Sequence, residues 1–148
     1  MNLSPHFTFD ELTRTGQTAL QAKNREEAQK VLPALKDLAA MLEVIRTKFG
    51  PVRVTSAFRG PAVNAAVGGS TRSQHMVGEA ADISCPAVTD EVLHKWIVTE
   101  SGLKFGQCIL EKPPGRSWVH VSLGAPYRKT SNGESLYFDG KSYTTKKY

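Results

Sequence analysis

The spacing of apolar residues predicts an amphipathic helix in the first third of the chain. After a polar stretch at residues 21–27, apolar residues recur three or four positions apart, at Leu35, Leu38, Leu42, Ile45 and Phe49. This spacing places them on one face of a helix. Pro33 suits the first turn of that helix and Gly50 suits its end. We therefore predict that this segment is the main packing helix, and we assign it no chemistry.

Shorter helices are indicated by their capping residues. Thr8 and Glu11 have the Thr-x-x-Glu spacing of a capping box, which favours a short helix at this point. Residues 61–67 are predicted to form another short helix, because glycines follow them. Thr89 is placed to cap a further helix, whose apolar residues share one side: Val92, Leu93, Trp96 and Ile97.

Alternating and β-branched segments predict a sheet in the rest of the chain. Residues 51–56 and 79–84 have the pattern of strands, and residues 105–111 and 118–123 have that of two strands around a turn. Residues 137–143 predict a second hairpin with an Asp-Gly turn. Helices at the front and strands towards the back indicate an α+β fold, in which helices pack on a small antiparallel sheet.

Length and composition indicate a single domain over residues 1–148. A chain of 148 residues, 40% of them hydrophobic, builds a core without disulfides. Cys85 and Cys108 are too few for a disulfide scaffold and lack C-x-x-C spacing, so we interpret them as small hydrophobic residues in a reducing compartment. No segment approaches the roughly 20 apolar residues that span a bilayer, so we expect no membrane insertion. Residues 1–12 lack an export-signal pattern, so we expect synthesis in the cytoplasm.

The positive charge of the chain lies towards its carboxyl end. The net charge is +5, and residues 112–148 hold seven Lys and Arg against two acidic residues, whereas the rest of the chain is balanced. A basic region such as residues 124–148 can face nucleic acid, anionic lipid or anionic cell-wall polymer, or it can be a solvated surface. The chain lacks a recognition helix, a ribonucleoprotein motif and a basic groove pattern, which argues against a nucleic-acid partner.

Two histidines and an aspartate supply the residue types of a zinc site. His75 and Asp82 lie seven positions apart with small residues between them, and His120 lies in a segment with strand alternation. Taken alone, each of the two histidines is explained by a structural role without a metal. Two His and one Asp together give three ligands and leave a fourth position for water, as catalytic zinc sites do. Cys85 could in principle be a fourth ligand. It lies an odd number of residues after Asp82 in a predicted strand, however, so its side chain should point to the other face of the sheet.

The block SQHMVGEAAD at residues 73–82, with SAFR before it and WVHV after it, resembles the zinc D-Ala-D-Ala carboxypeptidase family. That family includes vancomycin-resistance D,D-dipeptidases, phage L-alanyl-D-glutamate endolysins and the Hedgehog amino-terminal domain, and the chain is most similar to the phage and prophage peptidases. The resemblance extends from His6 to about Leu123. It implies zinc as the cofactor, with ligands at His75, Asp82 and His120.

The resemblance also implies which residues contact substrate. At the position of the family's proton-transferring residue, this chain differs from its relatives. Arg59 matches an arginine that holds the substrate carbonyl or carboxylate, and Ser73 matches a serine that binds substrate or orders its loop. Relatives commonly carry the catalytic acid or base three residues before the last ligand, where this chain has Ser117, and a serine hydroxyl has the wrong pKa for this task. We therefore predict Glu111, at the end of the preceding strand, as the base, with Glu79 as the lesser candidate.

The function that the resemblance implies is a zinc metallopeptidase acting on peptidoglycan stem peptides. It would trim terminal D-Ala or cut the L-Ala–D-Glu link. We expect a monomeric phage or prophage endolysin that reaches the cell wall through a phage-made hole. The alternative is a weak or inactive zinc-binding protein of the same fold that binds the wall or a virion, and Ser117 favours this alternative. His6 and His94 match no ligand position, so we interpret both as structural or solvent-facing.

Overall fold

A six-stranded sheet organises the fold. The structure, a computed structural model, describes residues 1–130 and 132–148. In chain order its strands are β1 (Asn2–Ser4), β2 (Phe7–Thr8), β3 (Arg53–Ser56), β4 (Ala80–Ser84), β5 (Phe105–Glu111), β6 (Trp118–Leu123), β7 (Glu134–Phe138) and β8 (Tyr143–Thr145). The order in the central sheet is β3-β4-β6-β5-β7-β8, while β1 and β2 form a separate antiparallel ribbon.

The helices of the described residues form two groups. The first group packs on one face of the central sheet and consists of α3 (Leu32–Phe49) and α5 (Asp90–Thr99). The second gathers near the β3 edge and consists of α1 (Phe9–Thr13), α2 (Gln21–Ala28) and α4 (Pro61–Ala66). Within residues 1–130 and 132–148, no helix combines the length and the apolar content that a membrane crossing needs.

The core lies between the sheet and the first group of helices. Every second residue of β4, β5 and β6 points into it, including Ile83, Cys108 and Val121, each with none of its surface exposed. The helices contribute the periodic leucines of α3 and the apolar side of α5. Both cysteines are free and buried, as the sequence predicted. The predicted α+β fold of helices packed on a sheet is therefore confirmed.

The expectation of a purely antiparallel sheet is wrong at one strand pair. Four of the five pairs in the central sheet are antiparallel, but β5 and β7 run parallel. Strand β6 ends beside the first residue of β5. The chain then crosses to the other edge of β5, where β7 pairs with it in the parallel direction. Strand β4 occupies the other edge of β6, so β7 pairs with the free edge of β5 and runs parallel to it. The hydrophobic pattern of the sequence does not specify this strand order.

The capping and hairpin signals predicted local structure well. Thr8 Oγ1 accepts from the Glu11 backbone N–H at 3.1 Å, and the Glu11 carboxylate accepts from the Thr8 N–H at 3.4 Å, which completes the capping box. The second hairpin is formed by β7 and β8. Helix α2 was not predicted, because its polar sequence has no apolar face for periodicity to detect. The short ribbon of β1 and β2 was also missed.

The second face of the sheet, its open face, carries the predicted site residues in rows across the strands, together with apolar neighbours. One row runs through directly paired residues of five strands: Asp82, His120, Ile109, Leu136 and Thr145. The next row contains Trp118, Glu111, Phe138 and Tyr143. Side chains in a row are close neighbours on one face, so strand pairing brings together residues that are far apart in sequence.

Candidate metal centre

The register of β4 and β6 places Asp82 beside His120. The two residues are direct partners across the strands, and His120 Nδ1 lies 3.1 Å from Asp82 Oδ1. Their side chains are 13% and 12% exposed, so water reaches them only from the open face. The sheet itself therefore fixes two of the three predicted ligands.

His75 reaches the same carboxylate from a 3₁₀ turn between α4 and β4. Ser73 caps this turn by accepting from the His75 backbone N–H at 3.2 Å. His75 Nδ1 donates to the Ala57 carbonyl oxygen at 2.7 Å, and its Nε2 lies 3.3 Å from Asp82 Oδ1. Gly78 ends the turn with a φ of 74°, a conformation that favours glycine. This turn brings the third predicted ligand to the sheet.

The three side chains fit a zinc ion. One ligand atom from each of His75, Asp82 and His120 lies within 4.8 Å of the others. The separations of 3.1 and 3.3 Å from the Asp82 oxygen are close to the roughly 3.3 Å expected between tetrahedral ligands that each lie about 2.0–2.1 Å from zinc. Because the Ala57 carbonyl accepts the Nδ1 proton, the Nε2 lone pair of neutral His75 faces carboxylate lone pairs. A cation between these atoms removes that repulsion.

The pKa directions at the site agree with metal binding. Burial lowers the pKa of His75, against the opposing effect of Asp82, and so favours the neutral ring. Burial alone would raise the pKa of Asp82, but its close contacts with the His120 and His75 rings hold that pKa well below its usual value. Neutral imidazole and ionised carboxylate are the forms that bind metals.

A buried asparagine on α2 holds the segment that carries Arg59. Asn24 Nδ2 donates to the Phe58 carbonyl at 3.2 Å, and Asn24 Oδ1 accepts from the Gly60 N–H at 2.8 Å. These contacts flank Arg59, whose own N–H donates to the His75 carbonyl at 3.0 Å. The guanidinium lines the same cavity as the three predicted ligands. Arg59 is thus tied by its backbone to the loop that presents His75.

Ser73 has an ordering role at this site. In addition to capping the turn, its Oγ lies 3.4 Å from Arg59 Nη2, which donates to it. Ser73 also lines the cavity. Its contact with the loop is therefore observed, whereas its contact with substrate stays a prediction.

Glu111 lies on the open face of the sheet, in the row of residues next to the row that contains Asp82 and His120. It pairs with Trp118 across β5 and β6, and Trp118 Nε1 donates to Glu111 Oε2 at 2.6 Å. Burial raises the pKa of Glu111, and the nearby negative charge of Asp82 raises it further. The carboxylate lines the cavity with the three predicted ligands. One oxygen is held by Trp118, so the orientation of the carboxyl group is fixed.

Glu79, the lesser candidate, and Ser117 do not line this cavity. Glu79 accepts a long 3.5 Å hydrogen bond from Gln74 and does not line the cavity. Ser117, at the position where relatives commonly carry the acid or base, is exposed, donates to Asp90 Oδ2 at 2.6 Å and lines an adjoining hollow instead. Of the two predicted candidates, Glu111 is therefore the one that lines this cavity with the ligands.

The two remaining histidines lie away from the site. His6 is exposed and contacts Glu43 through Nδ1 at 2.7 Å. His94 is fully buried on the opposite side of the sheet, where Nε2 donates to the Cys108 carbonyl at 2.9 Å and Nδ1 accepts from the Tyr148 hydroxyl. Both have the structural or solvent-facing roles that the sequence analysis gave them.

The cavity over the ligands has a volume of about 390 Å³. An adjoining hollow shares Arg59, Asp82 and Trp118 with it, so the cleft continues on both sides of the ligands. Two buried polar atoms at the cleft have no hydrogen-bond partner: Arg59 Nε, which is a donor, and Gln74 Oε1, which is an acceptor.

Sequence reasoning missed several residues of the cavity wall. These are Ser70, Arg72, Gln74, Gln107, Arg128 and Tyr143. Gln107 was detectable, since it precedes Glu111 by four positions on the same face of a predicted strand. Arg128 and Tyr143 had no local signal, because the parallel pairing of β7 with β5 brings the carboxyl-terminal segment to the site.

Comparison with protein families gives one match. A family model described as Peptidase M15 matches residues 5–122. The match includes Arg59, Glu111 and the three predicted ligands, and it stops one residue before the end of β6. Strands β7 and β8 lie outside it. No curated protein sequence matches the chain.

Proposed function

This chain belongs to the peptidase M15 family, and we propose that it is a zinc peptidase that hydrolyses an amide bond in peptidoglycan stem peptides. The observation that carries the proposal is the convergence of His75, Asp82 and His120 in one cleft with Glu111 and Arg59. The family match supports the metallopeptidase activity. The substrate is our inference from the sequence resemblance.

In this proposal His75, Asp82 and His120 hold the metal. When bound there, zinc supplies Lewis acidity towards the scissile carbonyl and the attacking water. The Ala57 carbonyl keeps the Nδ1 proton of His75 in place and so leaves Nε2 as the ligand atom. Three protein ligands leave a coordination position open, which is typical of catalytic sites.

Glu111 is the group proposed to move the proton. Its carboxylate takes a proton from the attacking water and delivers it to the leaving amine. Trp118 binds Oε2, which leaves Oε1 for this transfer. The raised pKa of Glu111 brings it closer to neutral pH, where a carboxyl group exchanges protons more readily in both directions.

Arg59 and Gln74 are proposed to position the peptide. The Arg59 guanidinium is permanently charged and is suited to a substrate carbonyl or carboxylate. The Gln74 side chain lines the same cavity as Arg59, so its amide is proposed to contact the peptide backbone. Both contacts would hold the scissile bond above the ligands, which lowers the barrier through orientation.

We propose further that the protein acts in cell-wall lysis during phage or prophage release. The support is the similarity of its motifs to phage peptidases and the basic region at residues 124–148, which suits an anionic wall. The alternative is an inactive zinc-binding protein that attaches to the wall or a virion. Ser117 favours that alternative, whereas the position of Glu111 in the cleft favours the enzyme.

Digestion of purified peptidoglycan tests the proposal. Zinc-loaded protein is incubated with the polymer, and the products are identified by mass spectrometry, with a zinc-loaded Glu111→Gln variant as the matched control. Loss of terminal D-Ala would identify a carboxypeptidase, and cleavage between L-Ala and D-Glu an endopeptidase. If folded, zinc-loaded protein sediments with the wall but releases no fragments, the inactive wall-binding alternative is correct.

A further inference from the structure

The carboxyl-terminal segment contributes to a cleft whose remaining walls come from the family-matched region. The matched residues end at 122, yet Arg128 and Tyr143 line the cavity beside the predicted ligands. Tyr143 reaches it through the row that contains Glu111 and Phe138. Arg128 reaches it from the loop between β6 and β7. These two wall residues therefore lie outside the family match.

The loop that carries Arg128 is held in place on both sides. Asn132 Oδ1 accepts from the Ala125 N–H at 2.8 Å, and Asn132 Nδ2 donates to the Arg128 carbonyl at 3.0 Å. The Tyr127 hydroxyl donates to Asp37 on α3. The Asn132 side chain thus bridges two points of the loop, and the Tyr127 side chain binds the loop to α3.

The Arg128 side chain packs over a glycine of β5. A Cβ placed on Gly106 would lie 2.7 Å from the Leu123 carbonyl oxygen and 3.4 Å from Arg128 Cγ. The absence of a side chain at Gly106 lets the aliphatic part of Arg128 cross the strand closely. Arg128 is half-buried as a result, with its guanidinium at the cavity.

Basic side chains outnumber acidic side chains in the wall of this cavity. Its wall contains Arg59, Arg72 and Arg128, while its carboxylates are Asp82 and Glu111. Asp82 is a predicted metal ligand, so its charge is committed to the ion.

Arg128 is free to bind an anion. Among the described residues, no carboxylate lies within 4.0 Å of an Arg128 guanidinium nitrogen. Glu79 is close enough for the charge of Arg128 to lower its pKa, although burial raises that pKa overall.

Arg128 and Glu111 lie towards opposite ends of the cleft. Gly106 and Gln107 mark the Arg128 end of β5, and Glu111 marks the other end. Ile109, which is paired with His120, lies between them. Three residues of a strand, from Gly106 to Ile109, span about 10 Å, so an anionic group at Arg128 lies within about three peptide residues of a bond held at the ligands.

We propose that Arg128 is a specificity-determining residue that binds a free carboxylate of the peptide substrate. The proposal rests on the proposed function for the identity of the peptide. A stem peptide has two kinds of free carboxylate beside its backbone amides: the α-carboxylate of its γ-linked D-Glu and the carboxylate at its C-terminus. An arginine fork binds either of these in a bidentate manner.

Three synthetic peptides test the proposal. The first is the stem peptide L-Ala-γ-D-Glu-L-Lys-D-Ala-D-Ala with both carboxylates free. The other two carry a carboxamide either at the D-Glu α-position or at the C-terminus. Calorimetry gives the affinity of each peptide for zinc-loaded Glu111→Gln protein with Arg128 intact, and for the same protein with Arg128→Gln. Hydrolysis by zinc-loaded protein with Glu111 intact is measured in parallel.

We expect one of the two amidations to weaken binding about 10-fold, because charge-assisted hydrogen bonds are roughly this strong at a half-exposed site. The amidation that does so identifies the carboxylate. Arg128→Gln should remove the difference between acid and amide. Lys129→Gln is the matched control, since it removes the same charge from an exposed neighbour that does not line the cavity.

The proposal is overturned if neither amidation weakens binding, if the Arg128→Gln protein still prefers the acid, or if Lys129→Gln removes the preference equally. A failure of hydrolysis alone has a different meaning. If no peptide is cleaved but the preference still depends on Arg128, the peptidase function is contradicted and the carboxylate site stands.

Discussion

Along β6, neighbouring residues lie in opposite surroundings. Val119 and Val121 have none of their surface exposed and pack towards the helices, whereas Trp118 and His120 face the cleft. The same alternation holds in β4, where Ile83 lies in the core beside Asp82 at the site. Burial restricts the core face to apolar residues, whereas the open face accommodates the polar residues of the site. Changes on the two faces should therefore have separable effects.

The largest expected effect comes from a pair of histidines, one on each side of the sheet. His120→Ala should lower zinc affinity more than about 100-fold, since outer-shell partners alone contribute about 10–100-fold, and should abolish hydrolysis. His94→Gln should keep stoichiometric zinc but unfold at a lower denaturant concentration, because His94 bonds buried partners. Metal analysis and urea unfolding check the pair. Stoichiometric zinc in the His120→Ala protein would show that the ligand assignment is wrong.

The next effect is catalytic and confined to the open face. Glu111→Gln should reduce kcat about 10²- to 10⁴-fold, the usual contribution of a positioned proton shuttle, while zinc content and stability stay as they are. Glu79→Gln serves as the control, since Glu79 does not line the cavity. Steady-state kinetics on zinc-loaded proteins measure both variants. If Glu79→Gln is the slower enzyme, the two roles are reversed.

A core substitution should have the opposite profile. Leu42 on α3 is fully buried, so Leu42→Ala should lower the free energy of unfolding by about 2–5 kcal/mol through lost burial and a residual cavity. Because Leu42 is absent from the cleft wall, zinc stoichiometry and kcat of the folded protein should be unchanged. Chemical denaturation and kinetics test this. A fall in kcat comparable to that of Glu111→Gln would mean that the two faces are not separable.

The smallest effect is the pH dependence that His94 contributes to stability. Burial lowers the pKa of His94, with a further contribution from Lys146. Below about pH 6.5 the unfolded chain binds a proton that the folded chain rejects, so stability falls as the pH drops from the unfolded pKa towards the lower folded pKa. The slope is at most about 1.4 kcal/mol for each pH unit.

Urea unfolding at pH 7.5 and pH 5.5 measures this contribution. In chelator-treated protein, His94→Gln should lose less stability than the parent over this interval, because contributions from other titrating groups cancel in the difference. An equal loss in both proteins would mean that His94 does not resist protonation.

The sequence predicted the elements with strong local signals. The capping box at Thr8, the periodicity of α3 and the hairpin of β5 and β6 were all readable, because each depends on neighbours in the chain. His75 and Asp82 lie seven positions apart, so their proximity also followed from a short motif. The placement of these residues around one cleft agrees with that prediction, while their roles as ligands stay predictions.

The supports of the site could not be predicted in the same way. Asn24 bonds the chain on both sides of Arg59, yet it lies in a polar helix without periodicity, and its partners are 34 and 36 positions away. Arg128 and Tyr143 reach the cleft because the chain after β6 crosses to the free edge of β5, where β7 pairs. Long-range hydrogen bonds and strand order leave no pattern in a single sequence.

We infer that the open face of the sheet holds one zinc ion through His75, Asp82 and His120. X-ray absorption at the zinc edge, on protein loaded with one equivalent, identifies the ligand atoms. We predict nitrogen and oxygen ligands at about 2.0–2.1 Å, including two imidazoles, and no sulfur. A sulfur shell at about 2.3 Å would place the metal at a cysteine and contradict the account.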